Sequence, residues 1–153
     1  MNWEYIAGFF DGEGNLQMHP IRKDGKIRAY QLLTRIYSTN KEVIEKIKDF
    51  LGGKGHIYIK KASKNNPDRN IVYEFVIAKK EDSLFFLKNI IPYSVIKRDQ
   101  INYLLTNFDF SVGHISRRGH TNITFDLDKF RSFTTRKNTD KFIKTHTIKA
   151  LTE

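Results

Sequence analysis

Two carboxylates separated by a single glycine, Asp11 and Glu13 in the stretch IAGFFDGEG (residues 6–14), have the types and spacing to do chemistry. Carboxylate oxygens are the donors that hard cations such as Mg²⁺ or Ca²⁺ take. They stand in an unfavourable place. Trp3 to Phe10 reads as a short apolar helix, and glycine just past a helix end is expected because it accepts the left-handed conformation. Acids there are not expected, since the helix dipole is negative at that end and favours Lys or Arg. A local rule broken at one site is often a functional signal. An ordinary calcium loop is not the explanation: DGEGNL starts like one, but Leu16 stands where its glycine should be and Arg22 where its closing glutamate should be.

Other chemistries drop out. The chain has no cysteine, which excludes disulfides, thiol nucleophiles and Cys-based zinc sites, and its five histidines show no zinc spacing. GGKGH (52–56) lacks the spacing of a phosphate-binding loop. The formal net charge is +10 over 153 residues, which points to a polyanionic partner, nucleic acid before an anionic membrane surface. No apolar run approaches the roughly 18 residues of a spanning helix, so no membrane is expected. The N-terminal stretch carries acids and no early Lys or Arg, unlike a signal peptide, and an intracellular location is expected.

The elements that must position the acids follow from periodicity. Residues 15–23 and 27–38 read as strands around Asp24-Gly25, a strong hairpin signal. STNKEVIEKIKDFLGG reads as a helix with capping residues at its start, a 3–4 apolar spacing and Gly52-Gly53 at its end. GHIYIKK and IVYEFVIA give two more strands. Residues 81–91 form a helix ended by Pro92, a long amphipathic helix runs from about Val95 to Phe108, residues 109–125 are irregular, and the tail is helical in pieces. The expected fold is α+β, an antiparallel sheet with helices on one face, in a single domain over 1–153 with its core in about 1–108.

The opposite sheet face must then be solvated or bound. Strand alternation places Gln31, Arg35 and Tyr37 on it, with His56, Tyr58 and Lys60 from the next strand, and Arg28 extends the basic set. Polar, aromatic and basic side chains on one face of a basic protein favour nucleic acid. A strand of about 9 residues spans roughly 30 Å, enough to follow a long half-site in a major groove.

IAGFFDGEGNL, followed by this β-β-α-β-β-α order, resembles the LAGLIDADG homing endonucleases. The resemblance implies an αββαββα fold with a saddle-shaped sheet. It implies a double-strand DNA endonuclease that hydrolyses one phosphodiester per strand with Mg²⁺, leaves 3′ overhangs and starts intron homing. RNA-splicing maturases acting on their own intron RNA and non-cleaving DNA-binding relatives belong to the same family and are the alternatives. One copy of the motif implies a homodimer on a near-palindromic site. Ala7, Gly8, Asp11 and Gly12 lie on one helical stripe, and Gly8 and Gly12 have a small-xxx-small spacing that lets helix backbones approach. The resemblance makes that stripe the dimer interface; packing of the helix on its own sheet is the other reading.

By the same resemblance Glu13 is the metal-ligating acid, with the Gly12 carbonyl beside it, and Asp11 is a helix-end and interface residue. PYSVIKRDQ (92–100) matches a segment in relatives whose lysine reaches the active site. That is Lys97, with Arg98 as its rival. A polar residue after the second strand, Thr39 or Asn40, completes the catalytic set with Asn40 preferred, although helix capping explains both equally well. TTRKNT (134–139) places Arg136 and Lys137 as phosphate contacts, and SRRGH (116–120) stays open.

Overall fold

The computed structural model describes residues 1–61, 70–110 and 125–134. Their order is α1 (Trp3–Glu13), β1 (Gly14–Lys23), β2 (Lys26–Ser38), α2 (Lys41–Phe50), β3 (His56–Lys60), β4 (Val72–Ile77), α3 (Lys80–Ile90), α4 (Arg98–Asn107) and α5 (Leu127–Ser132). Four antiparallel strands form one sheet in the order β1-β2-β4-β3. Apolar side chains from one sheet face, among them Leu32, Ile36, Phe75 and Ile77, form the core with Ile6 and Phe10 of α1 and Phe86 of α3. The fold class expected from the sequence is the one observed.

Local chemistry explains the joins. Asp24 and Gly25 both have positive φ (51° and 74°), the backbone that a two-residue hairpin turn needs to match strand twist. Beyond the turn the β1–β2 register shifts between Ile21 and Arg22, which leaves Arg28 as the extra residue of a bulge. A side chain at Gly14 would collide with the Phe10 ring, so only glycine lets β1 leave α1 this sharply.

Two boundaries differ from expectation. α1 continues to Glu13, which puts both acids inside its last turn. α4 starts at Arg98 instead of Val95, because the backbone N–H groups of Val95, Ile96 and Lys97 donate to the Asp11 carboxylate. The tail contributes α5, while 111–124 and the segment after 134 lie outside the described residues. No helix among the described residues is long and apolar enough to cross a membrane.

Candidate active site and nucleic-acid interface

The C-terminal turn of α1 meets the start of α4, and Asp11 is the pin between them. Its carboxylate accepts the Ser94 hydroxyl at 2.6 Å and the N–H groups of Val95 at 2.6 Å, Ile96 at 3.1 Å and Lys97 at 3.1 Å. The acid that opposes the dipole of its own helix therefore satisfies backbone donors of the turn that leads into the next one, the last of them the N-cap Lys97. Burial raises the Asp11 pKa, but the four hydrogen bonds together outweigh it and hold the group below its ordinary 3.8. The unfavourable placement of Asp11 has a structural cause.

Lys97, the first-named candidate, is brought to the end of α1. Its Nζ donates to the Asp11 backbone carbonyl and lies 5.6 Å from the centre of the Phe10 ring. Burial pushes its pKa down, and the charges of Asp11 and Glu13 restore it only in part. Its rival Arg98 is committed elsewhere, with Nε donating to Ser94 O at 2.8 Å. Glu13, unlike Asp11, is exposed at the tip of the helix, as is Gly12. Asn40 is the N-cap of α2, where its side-chain oxygen accepts Val43 N–H at 3.3 Å. The end of β2 lies beside the end of α1 through the Gly14–Ile36 pairing, yet Asn40 makes no hydrogen bond to Glu13 or Lys97 among the described residues.

Among the described residues no group of three His, Cys, Asp or Glu side chains is placed to hold a metal. What one chain offers is the exposed Glu13 carboxylate beside the Gly12 backbone, an all-oxygen set of the kind that suits Mg²⁺ or Ca²⁺ but is incomplete alone.

The small-residue stripe divides in two. Ala7 is fully buried and Asp11 nearly so, and both face the chain's own core, which corrects their assignment to an intermolecular surface. Gly8 and Gly12 face outward with open space around their Cα atoms. Tyr5 and the half-buried Phe9 stack beside them, ring centres 6.0 Å apart, and Ile96 is 67% exposed next to the Asp11 pin. The outward stripe is thus Tyr5, Gly8, Phe9 and Gly12.

The sheet face away from the helices carries the expected set. Register places Gln31, Arg35 and Tyr37 of β2 on it with His56, Tyr58 and Lys60 of β3. Arg28 sits at the bulge, half-buried, outside this alternation. The same face includes Asn15, Gln17 and His19, paired with Arg35, Leu33 and Gln31. The alternation of NLQMH against the buried Leu16 and Met18 was the signal that could have found them. Glu74 was also missed. It is 4% exposed, in cross-strand register with Tyr37 and Tyr58, and binds Arg35 Nη1 at 2.7 Å and Lys60 Nζ at 2.9 Å. Burial raises its pKa, but Lys60, Arg35 and Tyr37 bring it below the ordinary glutamate value. Arg136, Lys137 and the 116–120 segment lie outside the described residues.

No curated protein sequence gives a significant match to the chain. Solved structures do. The homing endonuclease I-CvuI, bound to an uncleaved I-CreI target, aligns at 18% identity and TM-score 0.52 over 68% of this chain and 63% of its own. The archaeal intron-encoded I-Vdi141I, complexed with DNA, aligns at 21% and TM-score 0.53 over 86% and 92%. I-SmaMI, bound to cleaved DNA, aligns at 19% and TM-score 0.51 over 87% of this chain but 42% of its own. At these identities the likeness establishes the fold. The family model described as LAGLIDADG endonuclease matches residues 6–106, from the motif through the pinned helix α4, and the chain belongs to that family.

Proposed function

We propose that the chain is a divalent-cation-dependent, site-specific DNA endonuclease that acts as a homodimer on a long near-palindromic site and leaves 3′ overhangs. The observation that carries this reading is the meeting of Lys97 with the motif helix, its ammonium held at the α1 terminus that exposes Glu13. Glu13 and the Gly12 carbonyl would hold Mg²⁺, and the cation when bound supplies positive charge to the scissile phosphate and leaving oxygen. Lys97 places a second positive charge at the same point, suited to stabilising charge on the phosphate. Asp11 keeps Lys97 there by anchoring the backbone that carries it.

A single chain offers an incomplete donor set, and the outward stripe supports completion by a second copy. Gly8 and Gly12 let two α1 backbones approach, flanked by Tyr5, Phe9 and Ile96, and a C2 axis through this stripe would bring two Glu13 carboxylates together. Such a dimer carries twice +10, or +20, onto the duplex. The polar sheet face would lie along the major groove, with Arg136 and Lys137 on the phosphates. An intracellular compartment, prokaryotic cytoplasm or an organelle, is where such a substrate resides.

The test is a cleavage selection. Purified protein and a Glu13→Gln control each meet a duplex library with randomised palindromic half-sites in Mg²⁺, and cut and bound fractions are sequenced. Cut ends with one 3′ stagger at the centre of a palindrome, absent from the control, are the expected result. An enriched site that stays intact makes the chain a non-cleaving DNA-binding relative. No binding to any duplex would redirect attention to the host intron RNA as ligand.

A further inference from the structure

A buried acid in the middle of a surface meant for a polyanion needs a reason. Glu74 neutralises cations that would otherwise add to phosphate affinity. It does not read a base itself, because it is 4% exposed and both oxygens are engaged, one by Arg35 and the other by Lys60. Its two cations are held very differently. Lys60 keeps 50% of its side-chain exposure and lies 5.1 Å over the Tyr37 ring, a rim position. Arg35 keeps only 21%, and its Nε is buried without a hydrogen-bond partner. Tyr37 lies on the same face, in cross-strand register with Glu74. Arg35 is thus held by Glu74 in a mostly buried position yet still reachable. Arginine is the side chain that reads guanine O6 and N7 in the major groove, a recognition that depends on holding the planar fork in one orientation.

From this we infer that Glu74 is a positioning residue that fixes Arg35 as a reader of one guanine-containing base pair in each half-site, trading phosphate affinity for sequence choice. The inference rests on the DNA-binding reading proposed above and not on cleavage. Lys60 shares the carboxylate but contributes to phosphate attraction alone.

The experiment uses the full chain and a duplex library with randomised palindromic half-sites, with the bound fraction sequenced whether cut or intact. Wild type is expected to prefer G·C at one position per half-site, and Arg35→Ala to erase that preference. Glu74→Gln should relax the same position about tenfold or more while strengthening binding to a random-sequence duplex and steepening its salt dependence. Arg35→Lys, which keeps the charge and the ion pair but loses the fork, should relax it too. Lys60→Gln should leave the base preference intact and make the salt dependence shallower. Melting temperatures accompany each variant. If Glu74→Gln does not fold, Glu74→Asp, which keeps the charge but shortens its reach, is expected to relax the same position. A Glu74 variant that keeps full preference, or relaxes a position other than the one lost in Arg35→Ala, overturns the inference and leaves the DNA reading standing. A wild-type chain that binds no duplex overturns the DNA reading and this inference together.

Discussion

Asp11 and Glu74 are both buried carboxylates with depressed pKa values, one at the junction of α1 and α4 and the other on the outer sheet face. Their partners differ in kind. Asp11 accepts three backbone N–H groups and a buried serine hydroxyl, donors fixed in the turn that leads into α4. Glu74 accepts from two long cationic side chains, of which the half-exposed Lys60 can exchange it for a phosphate while the mostly buried Arg35 stays held. The first carboxylate joins two helices and the second organises side chains of the outer sheet face. The former is held by donors of the backbone, and the latter by side chains on an outer face.

The sharpest way to break this comparison is to remove each acid. Asp11→Ala strands several donors at once and is expected to cost about 3 kcal/mol or more in denaturant unfolding, since each stranded buried donor costs about 1–3 kcal/mol. Glu74→Gln should cost about 1 kcal/mol, because Lys60 is half exposed and Arg35 retains access to water. Equal costs would remove the distinction. Lys97→Met probes what the Asp11 pin supports. On the proposed endonuclease reading, cleavage should fall about 100-fold, corresponding to about 2.7 kcal/mol of lost charge stabilisation, with little change in duplex binding. A loss of binding as large as the loss of cleavage would make Lys97 an affinity residue.

Acid sharpens the comparison further. Both carboxylates have folded pKa values below the unfolded ones, so each stabilises the fold fully above the unfolded value and loses that contribution as pH falls through the lowered folded value. For Asp11 the loss begins below its ordinary 3.8. Asp11→Asn should therefore flatten the stability profile in that acid range, which acid titration of unfolding free energy would show. The smallest expected effect is from salt. Raising ionic strength should weaken the Glu74 pairs by a few tenths of a kcal/mol and leave the Asp11 cap unchanged, because its donors carry no formal charge. Salt-dependent unfolding of wild type and the two variants separates these contributions.

Local patterns carried much of the architecture. The Asp24-Gly25 turn, the apolar spacing of α2 and the alternation that placed Gln31, Arg35, Tyr37, His56, Tyr58 and Lys60 on one face are encoded within a few residues of themselves. That is why element order and sheet face were legible in the linear chain. The motif at 6–14, through its resemblance to a family, directed attention to Glu13 and Lys97. It did not foretell that helix α4 would begin three residues late.

What the sequence by itself determined is the set of elements, the basic outer face and the family. The tertiary structure alone decided which side chains meet. Asp11 finds its partners more than 80 residues along the chain, Glu74 finds Arg35 only through the β2–β4 register, and the stripe of Ala7, Gly8, Asp11 and Gly12 splits between core and surface. Periodicity reports the side of an element on which a residue lies. It holds no information on which distant element packs there, because that depends on filling one shared core and pairing nearly all buried polar groups at once.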